Sequence, residues 1–498
     1  MTDVLETDDI QGLVVRGYGT LHAARFLLLE VTDPVAARRY IARAISRVNR
    51  ASESPAAVAL QLAFTAQGLN QLGLSDQILG TFSREFIEGM ADRVRAESLG
   101  DVGANAPDAW RWGRANIHAM VMVYATSATI DEHVGHELAE LADGFRVVHE
   151  QRTTHLRDHK EHFGWRDGLS MPTIDGVPSR GHHEHPAKPS WTTPIKPGEF
   201  VLGYRNEYDV RSESPSVAVA SDPTNQLPFT DDRTHKDLGR NGTYLVYRQY
   251  TQHVQALWRT LATNTTDDEA AIALGAKMVG RWPNGAPVVD AEYDDPAKAT
   301  NNEFDYYGTP RANDRIGLRC PIGAHIRRAN PRDQLAPDRT GSDSIAMVRK
   351  HQMIRRGRPY GPPVSATMDP YELLTAGADR EDRGLHFICL VGQINRQFEL
   401  VQRSWLHSAN FNGLFKDGDP ISAVRVRDTN ANDEFTVPCE PVRHKYQAMP
   451  AFTQLVGGAY FFLPSIAALR FIAREPASPS SAPGSGSSAS PSTRPPQR

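Results

Sequence analysis

His325 stands in the stretch Cys320-Pro321-Ile322-Gly323-Ala324-His325-Ile326-Arg327-Arg328-Ala329-Asn330-Pro331-Arg332, between a small-residue approach and a basic exit. An imidazole nitrogen can take an axial position on a haem iron. Guanidinium forks two and seven residues on, at Arg327 and Arg332, match carboxylates such as those a haem carries. The plain alternative is a satisfied structural or surface histidine, the commoner fate of a lone imidazole in a chain with 18 of them.

Three further stretches bear on that choice. His162-Phe163-Gly164-Trp165-Arg166-Asp167-Gly168 places one carboxylate in a loop between glycines, Met353-Ile354-Arg355-Arg356-Gly357-Arg358-Pro359-Tyr360-Gly361 follows His325 closely, and Arg383-Gly384-Leu385-His386-Phe387-Ile388-Cys389 has the pattern of a buried strand. Taken in this order, with Gly457-Gly458-Ala459-Tyr460-Phe461-Phe462-Leu463-Pro464-Ser465 near the C-terminus, they resemble the dye-decolourising peroxidase family of haem enzymes. The resemblance runs from about Asp9 to Glu475.

The resemblance implies roles. His325 matches the axial ligand of haem b. Asp167 matches the distal acid–base residue and Arg355 the distal cation, while Leu385 and Phe387, alternate residues of one strand and so on one face, match the apolar wall of the distal pocket. Arg327 and Arg332 are candidates for the haem propionates. A metal-bound histidine commonly donates its other ring N–H to a carboxylate; Asp419, in Gly418-Asp419-Pro420-Ile421, is the candidate, and a turn residue before proline is the rival reading. Trp405 and Tyr360 are oxidisable residues that either relay electrons from bulky donors or simply pack.

A carboxylate acid–base group has a consequence. Its reference pKa is about 4, against about 6.5 for imidazole, so activity resting on Asp167 is expected to peak on the acidic side of neutral.

Composition bounds the remainder. A chain of 498 residues suggests roughly two to four domains on length alone. The net charge of -4 gives no pull toward nucleic acid. Three cysteines without paired spacing argue against a disulfide framework or a Cys-based zinc site; buried free thiols in a reducing compartment are expected. The acidic start, Met1 to Asp9, lacks an export pattern, and the best apolar run, Ala459 to Ala473, is too short to span a bilayer, which points to a cytoplasmic protein away from membranes. The His182-His183-x-His185 cluster in Gly181 to Pro197 is expected to be a solvated loop rather than a metal site.

The pattern of elements positions these groups. Leu13 to Val15, Arg25 to Val31, Val58 to Phe64, Asn116 to Tyr124 and Phe145 to His149 are strand-like. Asp33-Pro34 caps a helix with Tyr40, Ile41, Ala44, Ile45 and Val48 on one face; further helices are expected over Ser83–Glu97 and Asp131–Leu141. This is the ferredoxin-like order, whose sheet keeps one face free to bury a cofactor or a second sheet. Thr243 to Arg248, the helix carrying Val254, Leu257, Trp258 and Leu261, the strand Leu385 to Gly392 and a helix over Asn395–His407 suggest a second sheet-and-helix unit. The fold class is α+β: residues 1–230 as an N-terminal ferredoxin-like half carrying Asp167, 231–475 as a second such half holding most of the haem, and 476–498 as a disordered Ser/Pro-rich tail. That the halves share a fold is implied by the resemblance.

The expected activity is reduction of hydrogen peroxide with one-electron oxidation of phenolic or dye-like donors, with self-association left open. The rivals are removal of iron from haem, and a haem carrier or sensor, which needs His325 but not both Asp167 and Arg355.

Overall fold

The computed structural model describes residues 4–474 except 56, 115, 178–192, 309–312, 336–340 and 426–432. The His182-His183-x-His185 cluster and the C-terminal tail lie outside the described residues.

The first unit runs β1 (Ala23–Val31), α1 (Pro34–Ala44), β2 (Val58–Phe64), β3 (Ala119–Ala125), α2 (Ile130–Leu141) and β4 (Phe145–Arg152). Asp33 starts α1 as expected, its carboxylate accepting from Val35 N at 2.8 Å and Ala36 N at 3.0 Å. Two expectations fail locally. Leu13–Val15 is not a strand; Gly12–Val14 form a 3₁₀ turn, all buried. The helix expected over Ser83–Glu97 is two short helices, Arg84–Glu88 and Arg93–Leu99, because Gly89 takes φ 78° and Asp92 starts a new cap.

The second unit has β5 (Thr243–Gln252), α3 (Val254–Thr263), α4 (Asp268–Val279), the short helix α5 (His325–Ala329), β6 (Ile354–Arg355), β7 (Arg358–Tyr360), β8 (Gly384–Val391), β9 (Thr453–Leu463) and α6 (Ile466–Ala473). The helix expected over Asn395–His407 is present but wound as π-helix from Asn395 to Leu406. Such windings are rare and favour functional sites.

All strands of these units join one antiparallel sheet, ordered β4-β1-β3-β2-β9-β5-β8-β6, with β7 also on β8. Each half therefore repeats the ferredoxin-like sequence of neighbours, and β2 meets β9 at Phe64–Phe462. The outer edges also approach each other: Thr154 N–H, just past β4, donates to Pro359 O of β7 at 2.8 Å. The first sheet thus buries its free face against the second. Phe26, Leu28, Met120, Met122, Leu245, Tyr247, Ile388 and Phe461 meet in one interior core. The opposite faces take helices; Leu27 and Leu29 pack with Tyr40, Ile41 and Val134.

The glycine pair on β9 follows from close approach. A Cβ on Gly457 would lie 2.3 Å from Trp112 Nε1, which donates to Gln249 Oε1 at 2.6 Å. Gly457→Ala is expected to lower the unfolding free energy by about 1–3 kcal/mol. The check is the urea midpoint at constant slope; an unmoved midpoint refutes the packing argument.

No helix among the described residues is long and apolar enough to cross a membrane. All three cysteines are free; Cys320 and Cys389 are buried, whereas Cys439 is exposed, against the expectation of three buried thiols.

Candidate active site

The site is built on the outer face of the second sheet. Along β8, Leu385 and Phe387 are only half-buried, whereas His386 and Ile388 between and beyond them are fully buried toward the interior core. Strand pairing puts Arg355 opposite Cys389 and Tyr250 opposite Leu385. Paired residues share a face, so Arg355 joins Leu385 and Phe387 on one half-open wall. Arg356 turns the other way and donates to Leu13 O at 2.7 Å and Val14 O at 2.8 Å.

The loop carrying Asp167 is held from several sides. Asp167 N–H donates to His159 O at 2.9 Å, and Trp165 Nε1–H to Arg281 O at 2.7 Å. The Trp165 ring stacks on Trp258 of α3 at 5.3 Å. Gly164 sits at φ 100°, where a Cβ would meet Leu373 Cδ1 at 2.6 Å, and Gly168 at φ 78°, so both glycines of the motif are set by backbone geometry. The segment just beyond ties this loop to the wall: Met171 Sδ accepts the Arg355 backbone N–H at 3.2 Å. The Asp167 carboxylate is exposed and accepts only its neighbour Gly168 N–H, at 2.6 Å, among the described residues. The Arg355 guanidinium has no hydrogen-bond or ion-pair partner among them. A carboxylate and a guanidinium are thus both left unspent.

His325 begins α5 and presents its imidazole with a third of the side chain accessible. Its Nδ1 pairs with Asp419 Oδ2 at 2.9 Å. Asp419 is fully buried, and its other oxygen accepts from Ile421 N at 3.0 Å, Ser422 N at 2.7 Å and Ser422 Oγ at 3.0 Å. One oxygen of Asp419 caps the turn and the other meets the imidazole. Burial opposes the Asp419 charge, yet His325, Arg328 and these donors outweigh it and hold the carboxyl well below its ordinary range. Burial likewise opposes a charged His325; Asp419 outweighs it and raises the imidazole, with Arg355 opposing and Asp167 adding. The charges of Asp167 and Arg355 therefore both act on the ring of His325. With Nδ1 engaged, Nε2 is the nitrogen left for a ligand.

The two arginines after His325 differ. Arg327 is fully buried; it donates to Gln334, to Asp314 Oδ2 at 3.0 Å, to Asp314 O at 2.9 Å and to Cys320 O. Its fork is spent inside the protein, so the expected carboxylate-holding role is corrected to an internal brace. Arg332 is buried at φ 52°, donating to Asn302 Oδ1 at 2.8 Å and Asn302 O at 3.0 Å. Arg281 shares that acceptor, donating to Asn302 Oδ1 at 3.1 Å, and has no carboxylate partner among the described residues. Burial pushes Arg281 down to about 10, with Arg355 acting in the same direction, and Arg332 down to about 9, with Arg281 adding. Arg332 also donates to Phe304 O, and the carboxylates of Asp305 and Asp333 act on its charge. Sequence reasoning did not single out Arg281, which directly follows Gly280, the residue that closes α4 at φ 94°.

Trp405 is buried on the π-helix, edge-on to His351 at 5.2 Å, and its carbonyl accepts from Arg328 Nε at 2.7 Å. Tyr360 lies across the sheet from the half-open wall, its ring on His386 at 4.7 Å. It is therefore not brought to Leu385 and Phe387. No group of three or more His, Cys, Asp or Glu suited to a metal ion occurs among the described residues.

Residues 20–160, which include all of the first unit's strands, match the family described as the DyP dimeric alpha+beta barrel domain. Peroxidase 2 of Mycetinis scorodonius is 29% identical over 94% of this chain and 87% of its own length. The dye-decolorizing peroxidase of Mycena epipterygia is 29% identical over 83% of this chain and 76% of its own. The solved structure of an ancestral D-type dye decolorizing peroxidase superposes with a TM-score of 0.72 at 25% identity, covering 94% of this chain and 99% of that one. The domain match, the near full-length relatives and the shared fold agree with the motifs around Asp167, His325 and Arg355 in likening this chain to the dye-decolourising peroxidases.

Proposed function

We propose that the protein is a haem b peroxidase that reduces hydrogen peroxide and oxidises phenolic or dye-like donors in one-electron steps. The observation that carries this reading is the pair of unspent opposite charges, Asp167 and Arg355, acting on an imidazole backed by a buried carboxylate. His325 Nε2 would hold the iron, and Arg332 with Arg281 would receive the haem carboxylates. Bound haem would supply an iron able to take up peroxide and to store its two oxidising equivalents until two donors each give one electron.

The protein supplies the rest. Asp167 takes the proton from the inner peroxide oxygen and delivers it to the outer one, which leaves as water. Arg355 stabilises negative charge on that leaving oxygen. Asp419 accepts the His325 Nδ1–H, fixing the tautomer and making the imidazole a stronger donor. Leu385 and Phe387 keep the wall apolar and narrow, so donors too large to enter would deliver electrons through the protein; Trp405 on the π-helix is the proposed relay, with Tyr360 across the sheet a second. The free thiols fit a reducing compartment, in keeping with a cytoplasmic site of action.

The test is hemin titration followed by peroxide. The reading expects a strong visible band on hemin binding, a rapid absorbance change on adding peroxide, and turnover of a phenol or dye only with peroxide present. A protein that stays colourless with hemin refutes it.

A further inference from the structure

Glu161 lies two residues before Phe163 and is half-buried beneath the Asp167 loop. One carboxylate oxygen accepts Trp165 N–H at 3.0 Å; the other accepts Phe163 N–H at 2.9 Å and Gln252 Nε2–H at 2.6 Å. Its backbone repeats the clasp, with Glu161 N–H donating to Trp165 O at 2.9 Å and Gly164 N–H to Glu161 O at 2.9 Å. Gln252 ends β5, the strand beside β8. One side chain therefore joins two amides of the loop to the sheet that carries the wall. The clasp closes two residues before Asp167, the only acid of the loop left facing outward.

We propose that Glu161 is the positioning residue for Asp167, its carboxylate fastening the loop to Gln252 so that the Asp167 side chain is held over the wall formed by Leu385 and Phe387. The role rests on the peroxidase reading for its catalytic meaning, but the clasp itself can be measured without haem. Loop carriage by a charged acceptor suits the chemistry: a carboxylate takes three donors at fixed angles, which a neutral side chain of the same shape cannot. Burial raises Glu161 to about 7 against these donors, and Asp167 adds to the rise. The charged groups facing it are Asp167 and Lys160.

The test uses Glu161→Gln and Gln252→Met in the full chain. In Glu161→Gln the amide nitrogen must face one of two backbone N–H groups, so at least one clasp bond is lost. Hydrogen exchange of residues 161–167, without added haem, is expected to speed up by about tenfold or more. Gln252→Met, which keeps both backbone bonds, is expected to give a smaller rise. In the hemin-loaded protein, Glu161→Gln is expected to slow the reaction with peroxide by about tenfold at unchanged hemin affinity. The loss should fall on the rate constant for peroxide alone, with donor oxidation by the peroxide-reacted enzyme unchanged; a purely structural brace would lower both together. Unchanged exchange overturns the clasp, and faster exchange with an unmoved peroxide rate, or with peroxide and donor steps lowered together, overturns the positioning role. Hemin-loaded wild-type protein that ignores peroxide refutes the peroxidase reading instead, and the exchange arm still decides the clasp.

Discussion

Replacing Asp167 by Asn is expected to slow the first reaction with hydrogen peroxide by about 10²–10⁴-fold, the usual worth of a positioned acid–base group. Asn keeps the size of the side chain and the acceptor for Gly168 N–H but cannot take a proton. Arg355→Leu is expected to cost about 10²–10³-fold, the effect of removing one charge stabiliser from the reacting atoms. Neither side chain has another partner among the described residues, so neither change should lower stability or hemin affinity. Stopped-flow absorbance at varied peroxide concentration measures the step directly. The double variant should lose much less than the product of the two factors, because the two groups act on one proton transfer. Wild-type activity should peak below neutral pH, where a carboxylate base still works and an imidazole base would be protonated. Wild-type rates in both variants would remove these residues from the reaction.

Asp419→Asn should weaken hemin binding about 10–100-fold, the range found when an outer partner of a metal-bound histidine is lost. The amide has no good orientation here. If its oxygen faces His325, its NH₂ meets the Ile421 and Ser422 amides that now donate to Oδ1. If its NH₂ faces His325, Nδ1 must become the acceptor, the ring proton moves to Nε2, and the nitrogen meant for iron is blocked. The haem midpoint potential is expected to rise, because a neutral partner makes the imidazole a poorer donor. Asp419→Ala leaves the same amides and Nδ1 without an acceptor, and a loss of about 1–3 kcal/mol for each group that stays buried and unpaired should appear in denaturant unfolding. Hemin titration and a redox titration test both variants; unchanged affinity and potential in Asp419→Asn would refute the proximal role.

Much of this architecture was legible in the sequence because the signals were local. The Asp33-Pro34 cap, the apolar alternation of β8 and the order of strands and helices in the first half each depend on neighbours a few residues apart. The failures have local causes too. Leu13–Val15 looked like a strand because apolar runs are short there, but it closes as a single buried turn. A continuous helix across Gly89 ignored a glycine free to take positive φ. Arg327 was separable in principle: residues two apart on a helix do not face the same side, so a fork directed inward to Asp314 was the natural outcome once His325 faced a ligand.

By itself the sequence determined which chemistries were available: one imidazole, one acid between glycines and one guanidinium on a short strand. Only the tertiary structure decided which groups cooperate. It put Arg355 on the wall with Leu385 and Phe387 by antiparallel pairing, buried Asp419 against His325 while its other oxygen caps a turn, and brought Arg281 to share an acceptor with Arg332. Those outcomes turn on which face of a strand or helix meets which neighbour across long stretches of chain. That depends on register and on how buried charges find partners, and neither is written in the spacing of residues along one segment.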